Sequence, residues 1–299
     1  MRKISNQLKY KYKSLLLVLG VGVAAVTLSC SCFKKPQQDS TVSADSIQKD
    51  TVKAAAKSAE PKKDSVVVFA ESVDSTARIK VNGVSLFYEV TGKGKPVILL
   101  HGNSGSHKDL DVLQKQLTEA GYRVYGIDSR GQGANAKLKE YHYADMAEDV
   151  YQFIQNLELG HPAVYGWSDG GNVALQMEVL HPGTCGLIIT SGSNIFPAGW
   201  GGEKAIKQRI ASHPNPAPLY KMLLYEPTMK KEDMKKIKCP ALICAGERDI
   251  ILREHTRMIA ENIPCGTDTI IKGETHYSYV QHSPKITPIV LGFLQKNNY

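Results

Sequence analysis

The stretch from Pro162 to His181 reads Pro-Ala-Val-Tyr-Gly166-Trp167-Ser168-Asp169-Gly170-Gly171-Asn-Val-Ala-Leu-Gln-Met-Glu-Val-Leu-His181. A short apolar run enters a turn of the form G-x-S-x-G. A segment with apolar Val173, Leu175, Met177 and Leu180 leaves it. Strand, sharp turn, helix is the setting in which such a turn lifts a serine hydroxyl clear of the backbone. Gly166 and Gly170 flank the serine because side chains there would collide inside the turn. Gly171 lets the helix pack closely on a sheet. A hydroxyl is a weak nucleophile until a base takes its proton. A helix start also aims free N–H groups at a developing negative charge. Ser168 is therefore a candidate nucleophile whose partners must come from elsewhere in the chain.

Outward from this turn, strand and helix signals alternate. Residues 77–90 form two alternating runs joined by Asn82-Gly83, a hairpin signal. Apolar runs follow at 96–100, 123–127, 163–166, 186–190, 240–245 and 269–272. Helical stripes lie between them: Leu110, Leu113 and Leu117 over 107–120; Met146, Val150, Phe153, Ile154 and Leu157 over 143–157; then 251–262 and 284–295. This alternation predicts an α/β class with a mostly parallel central sheet flanked by helices. Ligands of such sheets bind beyond the carboxyl ends of the strands. The chemistry-bearing residues sit there. They are His101-Gly102-Asn103, Asp128-Ser-Arg130-Gly131-Gln-Gly133, the Ser168 turn, Gly246-Glu247-Arg248-Asp249 and Gly273-Glu-Thr-His276.

These five elements, in this order, resemble the serine branch of the α/β-hydrolase family over 77–299. The resemblance implies Ser168 as nucleophile, His276 as general base and later acid, and Asp249 as the carboxylate that orients the imidazole. It implies an oxyanion hole from the backbone N–H groups of Asn103 and Asp169. Glu247 is the competing acid and His282 the competing base. His101, His142, His161 and His181 read as structural or surface residues. Ser106 with Asp109 reads as a helix N-cap, Arg130 as a pin for its own loop, and Trp167 as packing beneath the turn. Asp169 keeps two readings: an acid complementing the helix dipole, or an anion that pairs a cationic substrate. The biphenyl-hydrolase-like group carries the same G-W-S-D-G-G run. Serine at 168 argues against the dehalogenase and epoxide-hydrolase branches, which use a carboxylate.

Between about 195 and 238 the strand–helix rhythm is interrupted where the family inserts a cap, here a short helical one. Phe196, Leu219, Met222 and Tyr225 share this segment with Trp200, Tyr220 and Leu223, the candidate substrate-binding residues. Most of these side chains must bury the cap onto the domain. The resulting expectation is a serine hydrolase acting on a small acyl substrate, a carboxylic ester, through an acyl-serine intermediate. The alternatives are an aminopeptidase or aminoacyl hydrolase with Asp169, Glu203 or Glu226 as amine anchor, a C–C bond hydrolase or lactonase, and a non-catalytic binding protein. No cofactor or metal is expected.

The 299 residues are 42% hydrophobic and 22% charged, ordinary for a globular domain, with a formal net charge of +8. Much of the excess lies in Arg2, Lys3, Lys9, Lys11 and Lys13. No basic patch with interleaved aromatics argues for nucleic acid. Residues 1–29 read as a signal peptide, a basic start followed by an apolar run too short to span a membrane comfortably. Cys30 then resembles a bacterial lipoprotein lipidation site, with Cys32 as the alternative. Residues 30–66 are polar and low in aromatics and read as a disordered tether. The expected location is the bacterial cell envelope, with the protein membrane-anchored through this lipid. Cys239 and Cys265 precede consecutive strands and form a candidate disulfide.

Overall fold

The computed structural model describes residues 74–299. The expected signal peptide, Cys30, Cys32 and the expected tether lie outside the described residues.

An eight-stranded sheet carries the fold, in the order β1-β2-β4-β3-β5-β6-β7-β8. The strands are β1 (Ser75–Val81), β2 (Val84–Thr91), β3 (Pro96–Leu100), β4 (Arg123–Ile127), β5 (Ala163–Trp167), β6 (Leu187–Ser191), β7 (Ala241–Arg248) and β8 (Gly266–Thr275). β1 pairs antiparallel with β2, and β2 with β4; from β4 through β3 to β8 every pairing is parallel. Asn82 and Gly83 both have positive φ, 42° and 77°, as the tight hairpin turn demands. β3, β5 and β6 are buried at all five positions. That two-sided burial is why their sequences are continuous apolar runs rather than alternating ones.

The helices are α1 (Asp111–Glu119), α2 (Tyr143–Asn156), α3 (Asp169–Leu180), α4 (Glu203–Ser212), α5 (Pro218–Tyr225), α6 (Arg253–Asn262) and α7 (Thr287–Lys296). Two cores result, one on each face of the sheet. Side chains of α2, α3 and α6 fill the first; those of α1 and α7 fill the second. α1, α2, α3, α6 and α7 fall where the apolar stripes place them, to within a few residues at their ends, and α4 and α5 occupy the 195–238 segment. The differences are local. Residues 107–110 form a 3-10 turn before α1, opened by the Ser106 amide donating to Asp109 Oδ2 at 3.0 Å. α6 starts at Arg253 rather than 251, because Ile251 is engaged in a β-bridge with Trp200. β8 is longer than its apolar stretch, since an edge strand can keep pairing with β7 while its other positions face water.

Cys185, Cys239 and Cys244 are free thiols, so the candidate 239–265 pair is not formed. Cys239 instead packs with Cys185 into the core beside α3. Arg130 also differs from expectation. It reaches out of its own loop to α2, with Nε and Nη2 each 2.6 Å from the Asp149 carboxylate, and to Asp145 at 3.2 Å. A buried guanidinium favours a bidentate carboxylate partner, and the nearby Asp128 of its own loop is already taken by His107 and Ala134.

Candidate active site

Ser168 sits between β5 and α3 with φ 54° and ψ −117°. A non-glycine residue in this conformation costs about 1–3 kcal/mol and persists only where its surroundings fix it. Here the Ser168 amide donates to the Ser191 carbonyl at 2.7 Å, and the Ser168 carbonyl accepts from the Gly171 and Asn172 amides. A Cβ on Gly166 would collide with the Gly170 carbonyl, and one on Gly170 with the Leu100 carbonyl. The turn therefore requires both glycines.

Three chain-distant side chains meet there. His276 Nε2 lies 2.9 Å from Ser168 Oγ, and His276 Nδ1 lies 2.7 Å from Asp249 Oδ1. Asp249 is held by two amides: Gly246 donates to Oδ2 at 3.1 Å and Ile251 to Oδ1 at 3.0 Å. The His276 and Asp249 side chains are 3% and 1% exposed. A carboxylate acceptor at Nδ1 places the ring proton there and leaves the Nε2 lone pair facing the hydroxyl. Trp167 does more than pack. Its Nε1 donates to the His276 carbonyl at 3.0 Å. On the other side of the ring, a Cβ on Gly192 would come within 2.6 Å of Nδ1. No motif flags Gly192 in the sequence.

The amides of Asn103 and Asp169 make no hydrogen bond among the described residues, and both residues border the same cavity as Ser168. The Asp169 side chain is buried. Its Oδ1 accepts from the Tyr143 hydroxyl at 2.6 Å and its Oδ2 from Asn103 Nδ2 at 2.9 Å. Burial raises its pKa, against the lowering effect of those two bonds and of nearby His276. Tyr143 is fully buried at the start of α2. It escaped the sequence reading because its hydroxyl has no motif, only a place in an apolar stripe.

The rival residues lie elsewhere. His282 faces Asp111 at 3.0 Å on the surface, and exposed Glu247 accepts the Gly273 amide at 2.8 Å. His101 braces the loop after β3: its Nε2 accepts the Ser129 amide at 3.0 Å, and burial depresses its pKa. His181 meets Glu148 at 2.8 Å. His142 meets Glu226 at 2.6 Å, and Glu226 also accepts the Tyr143 amide. Glu226 is thereby occupied, and neither it nor Glu203 lines the cavity. Among the described residues no group of three or more His, Cys, Asp or Glu gathers to hold a metal.

The cavity above Ser168 is about 290 Å³. Trp200, Tyr220 and Leu223 from the 195–238 segment line it, together with Asn194, Ile250, Ile251 and Tyr277, which sequence reasoning missed. Phe196, Leu219 and Met222 pack into the core instead, and Tyr225 is half exposed. Trp200 is fixed on several sides. It bridges Ile251, its ring lies under the Arg209 guanidinium at 3.8 Å, and Tyr220 meets it edge-on at 6.2 Å. The Leu252 amide donates to the Gly199 carbonyl at 2.9 Å, which extends this joint.

Known proteins agree with this architecture. A family model described as alpha/beta hydrolase fold matches residues 95–215. The chain is 25% identical to the serine hydrolase BPHL of Homo sapiens over 266 residues, 79% of this chain and 91% of that protein. It is 38% identical to the AB hydrolase superfamily protein YisY of Bacillus subtilis over 101 residues, 33% of this chain and 38% of that protein. Among solved structures, a bromoperoxidase from Bacillus anthracis aligns with TM-score 0.64 at 24% identity, over 74% of this chain and all of the other. A thermophilic esterase from Thermogutta terrifontis aligns with TM-score 0.62 at 19% identity, over 75% of this chain and all of the other.

Proposed function

We propose, for what is an enzyme of the α/β-hydrolase fold, a serine-hydrolase activity: cleavage of a carboxylic ester, or a related acyl bond, through an acyl-serine intermediate. The observation that carries this is the unbroken chain from Ser168 Oγ to His276 Nε2 at 2.9 Å and from His276 Nδ1 to Asp249 at 2.7 Å. His276 takes the hydroxyl proton as Oγ attacks the acyl carbon. The carbonyl electron pair moves to oxygen, where the amides of Asn103 and Asp169, without partners among the described residues, stabilise it. His276 then returns the proton to the leaving alcohol. Water, deprotonated by the same imidazole, releases the acid. Asp249 orients the ring and stabilises the imidazolium.

The cavity walls fit an uncharged acyl group of modest size. Trp200, Tyr220, Leu223, Ile250 and Tyr277 offer mainly apolar surface. A second reading, an aminoacyl hydrolase, draws on Asp169. It lines the cavity with neutral partners and no ion-pair cation among the described residues, so a substrate ammonium would meet an uncompensated acid. The test is a panel of p-nitrophenyl esters beside aminoacyl nitroanilides, with a fluorophosphonate probe as label. Ester turnover and labelling, both abolished in Ser168→Ala with an unchanged melting temperature, are expected. Turnover surviving in Ser168→Ala removes the acyl-serine route, and turnover of anilides alone reverses the ranking.

The proposal includes an address, export and anchoring through a lipid on Cys30. It is supported by the basic start, the apolar run and the cysteine that follows it. Cys30→Ser is expected to move the protein from the membrane to the soluble fraction. Continued membrane association points to Cys32 or to an uncut signal.

A further inference from the structure

The two residues assigned to the oxyanion hole come from loops 66 positions apart, one after β3 and one at the start of α3. No direct pairing between β3 and β5 reaches the two donors, because the β3–β5 register ends with Leu100 opposite Gly166. Beyond that point the loop after β3 leaves the sheet, while Trp167 stays paired only with Ser191 of β6 on its other side. Yet their side chains are bonded to each other: Asn103 Nδ2 donates to Asp169 Oδ2 at 2.9 Å. The other end of each amide or carboxylate is also taken. Asn103 Oδ1 accepts from Ser104 Oγ at 2.9 Å, and Asp169 Oδ1 accepts from Tyr143 at 2.6 Å. Tyr143 cannot swing away, since it is fully buried and its own amide is held by Glu226 at 3.1 Å.

We propose that the Asp169 carboxylate is a strut: braced by Tyr143, it holds the Asn103 side chain and so sets the distance between the two oxyanion N–H donors. Asn103, Asp169 and Tyr143 are then positioning residues through their side chains, in addition to the main-chain roles of the first two. This rests on the serine-hydrolase reading above and assigns these side chains a task that reading leaves open. Donors at an oxyanion hole act because they are already in place when charge develops. A misplacement on the order of 1 Å costs about 10²-fold in rate. The strut supplies that placement where the sheet no longer does.

The strut and the cation anchor predict opposite results for one substitution. In Asp169→Asn the amide Oδ1 can still accept from Asn103, while its Nδ2 donates to the Tyr143 oxygen. Both bonds survive without the charge. Asp169→Ala loses both. With p-nitrophenyl acetate, a neutral ester, Asp169→Ala is expected to lower kcat about 10- to 100-fold with KM within about twofold. Asp169→Asn should lose clearly less kcat than Asp169→Ala, because the hydrogen bonds rather than the charge do the positioning. Asn103→Ala keeps its main-chain donor and does not disturb the buried Tyr143, so it tests the strut if Asp169→Ala fails to fold. It should show the same kcat loss, and the double variant should be no worse than the more damaged single one.

Asp169→Ala or Asn103→Ala with wild-type kcat on the neutral ester overturns the strut. So do losses that multiply in the double variant. So does equal damage from Asp169→Ala and Asp169→Asn confined to aminoacyl esters, which makes Asp169 a substrate anchor. Ser168→Ala in the same assay separates the two proposals. Turnover persisting there removes the acyl-serine reading, and the strut with it. Turnover lost there but normal in Asp169→Ala and Asn103→Ala removes the strut alone.

Discussion

The molecule contains two histidine–aspartate pairs of nearly the same geometry. In one, His276 Nδ1 meets Asp249 at 2.7 Å; in the other, His107 Nδ1 meets Asp128 at 2.7 Å. Both aspartates accept two backbone amides: Gly246 and Ile251 for Asp249, His107 and Ala134 for Asp128. Both pairs are buried, and both lie beyond the carboxyl ends of strands. What separates them is the far nitrogen. His276 Nε2 faces a hydroxyl and a cavity. Among the described residues His107 Nε2 faces the Glu89 carboxylate at 3.9 Å rather than a hydroxyl, and its ring packs 5.3 Å from Phe87. A buried histidine–carboxylate pair is thus a bracing device by default. It becomes a proposed base where its second nitrogen meets a nucleophile.

Exchanging each aspartate for asparagine tests this contrast most severely. Asp249→Asn should cut kcat on a p-nitrophenyl ester by about 10⁴, the size seen when an orienting carboxylate of a triad is lost, with little change in melting temperature. Asp128→Asn should leave kcat within about threefold and lower stability by about 1–3 kcal/mol, measured by urea unfolding, because buried amides lose their charged acceptor. Equal kinetic losses in both variants would erase the distinction.

A pH series sharpens the same comparison at smaller amplitude. Burial pushes the Asp128 pKa up, but its bonds from the His107 ring and from the Ala134 and His107 amides outweigh this, and the net shift is downward. A carboxyl whose folded pKa is depressed contributes stability above its unfolded value, about 3.9, and loses it as pH falls through the folded value. The wild-type advantage over Asp128→Asn should therefore be steady from pH 5 to 7 and shrink below about pH 4, read from urea midpoints. An advantage that grows on acidification contradicts this assignment.

The smallest expected effect lies at the cavity that only His276 faces. Leu223→Ala should enlarge the site and lower KM for longer acyl chains relative to acetate by less than about tenfold, in keeping with one to three methylene contacts. Chain-length preference that does not move would take Leu223 out of the acyl-binding wall.

Legibility in the sequence followed the same division. The α/β fold was readable because β3, β5 and β6 are buried on both faces and the helices on one, and each pattern leaves a distinct periodicity. Ser168, His276 and Asp249 were named because each follows a strand in a short, glycine-marked loop. Trp200, Tyr220 and Leu223 do line the cavity. Tyr143, Gly192 and Tyr277 were not found. Their relevance depends on which loops come together, and no local spacing encodes that. His107 was passed over for a related reason: its partner Asp128 lies 21 positions away across a parallel crossover. Arg130 was assigned to its own loop because its Asp149 partner sits mid-helix, where an acidic residue looks like ordinary surface. Cys239 is a free thiol packed against the core cluster that holds Cys185 rather than paired with Cys265.

The bridge between Trp200 and Ile251 joins the aromatic wall to the residue whose amide anchors the Asp249 carboxylate. Selectivity and proton handling are therefore not separable modules in this molecule. A graft that replaces residues 195–238 with another protein's cover must preserve a backbone partner for Ile251, or the new pocket will arrive with a loosened acid. Engineers who wish to broaden the substrate range would do better to alter Leu223, which lines the cavity and takes no part in that bridge.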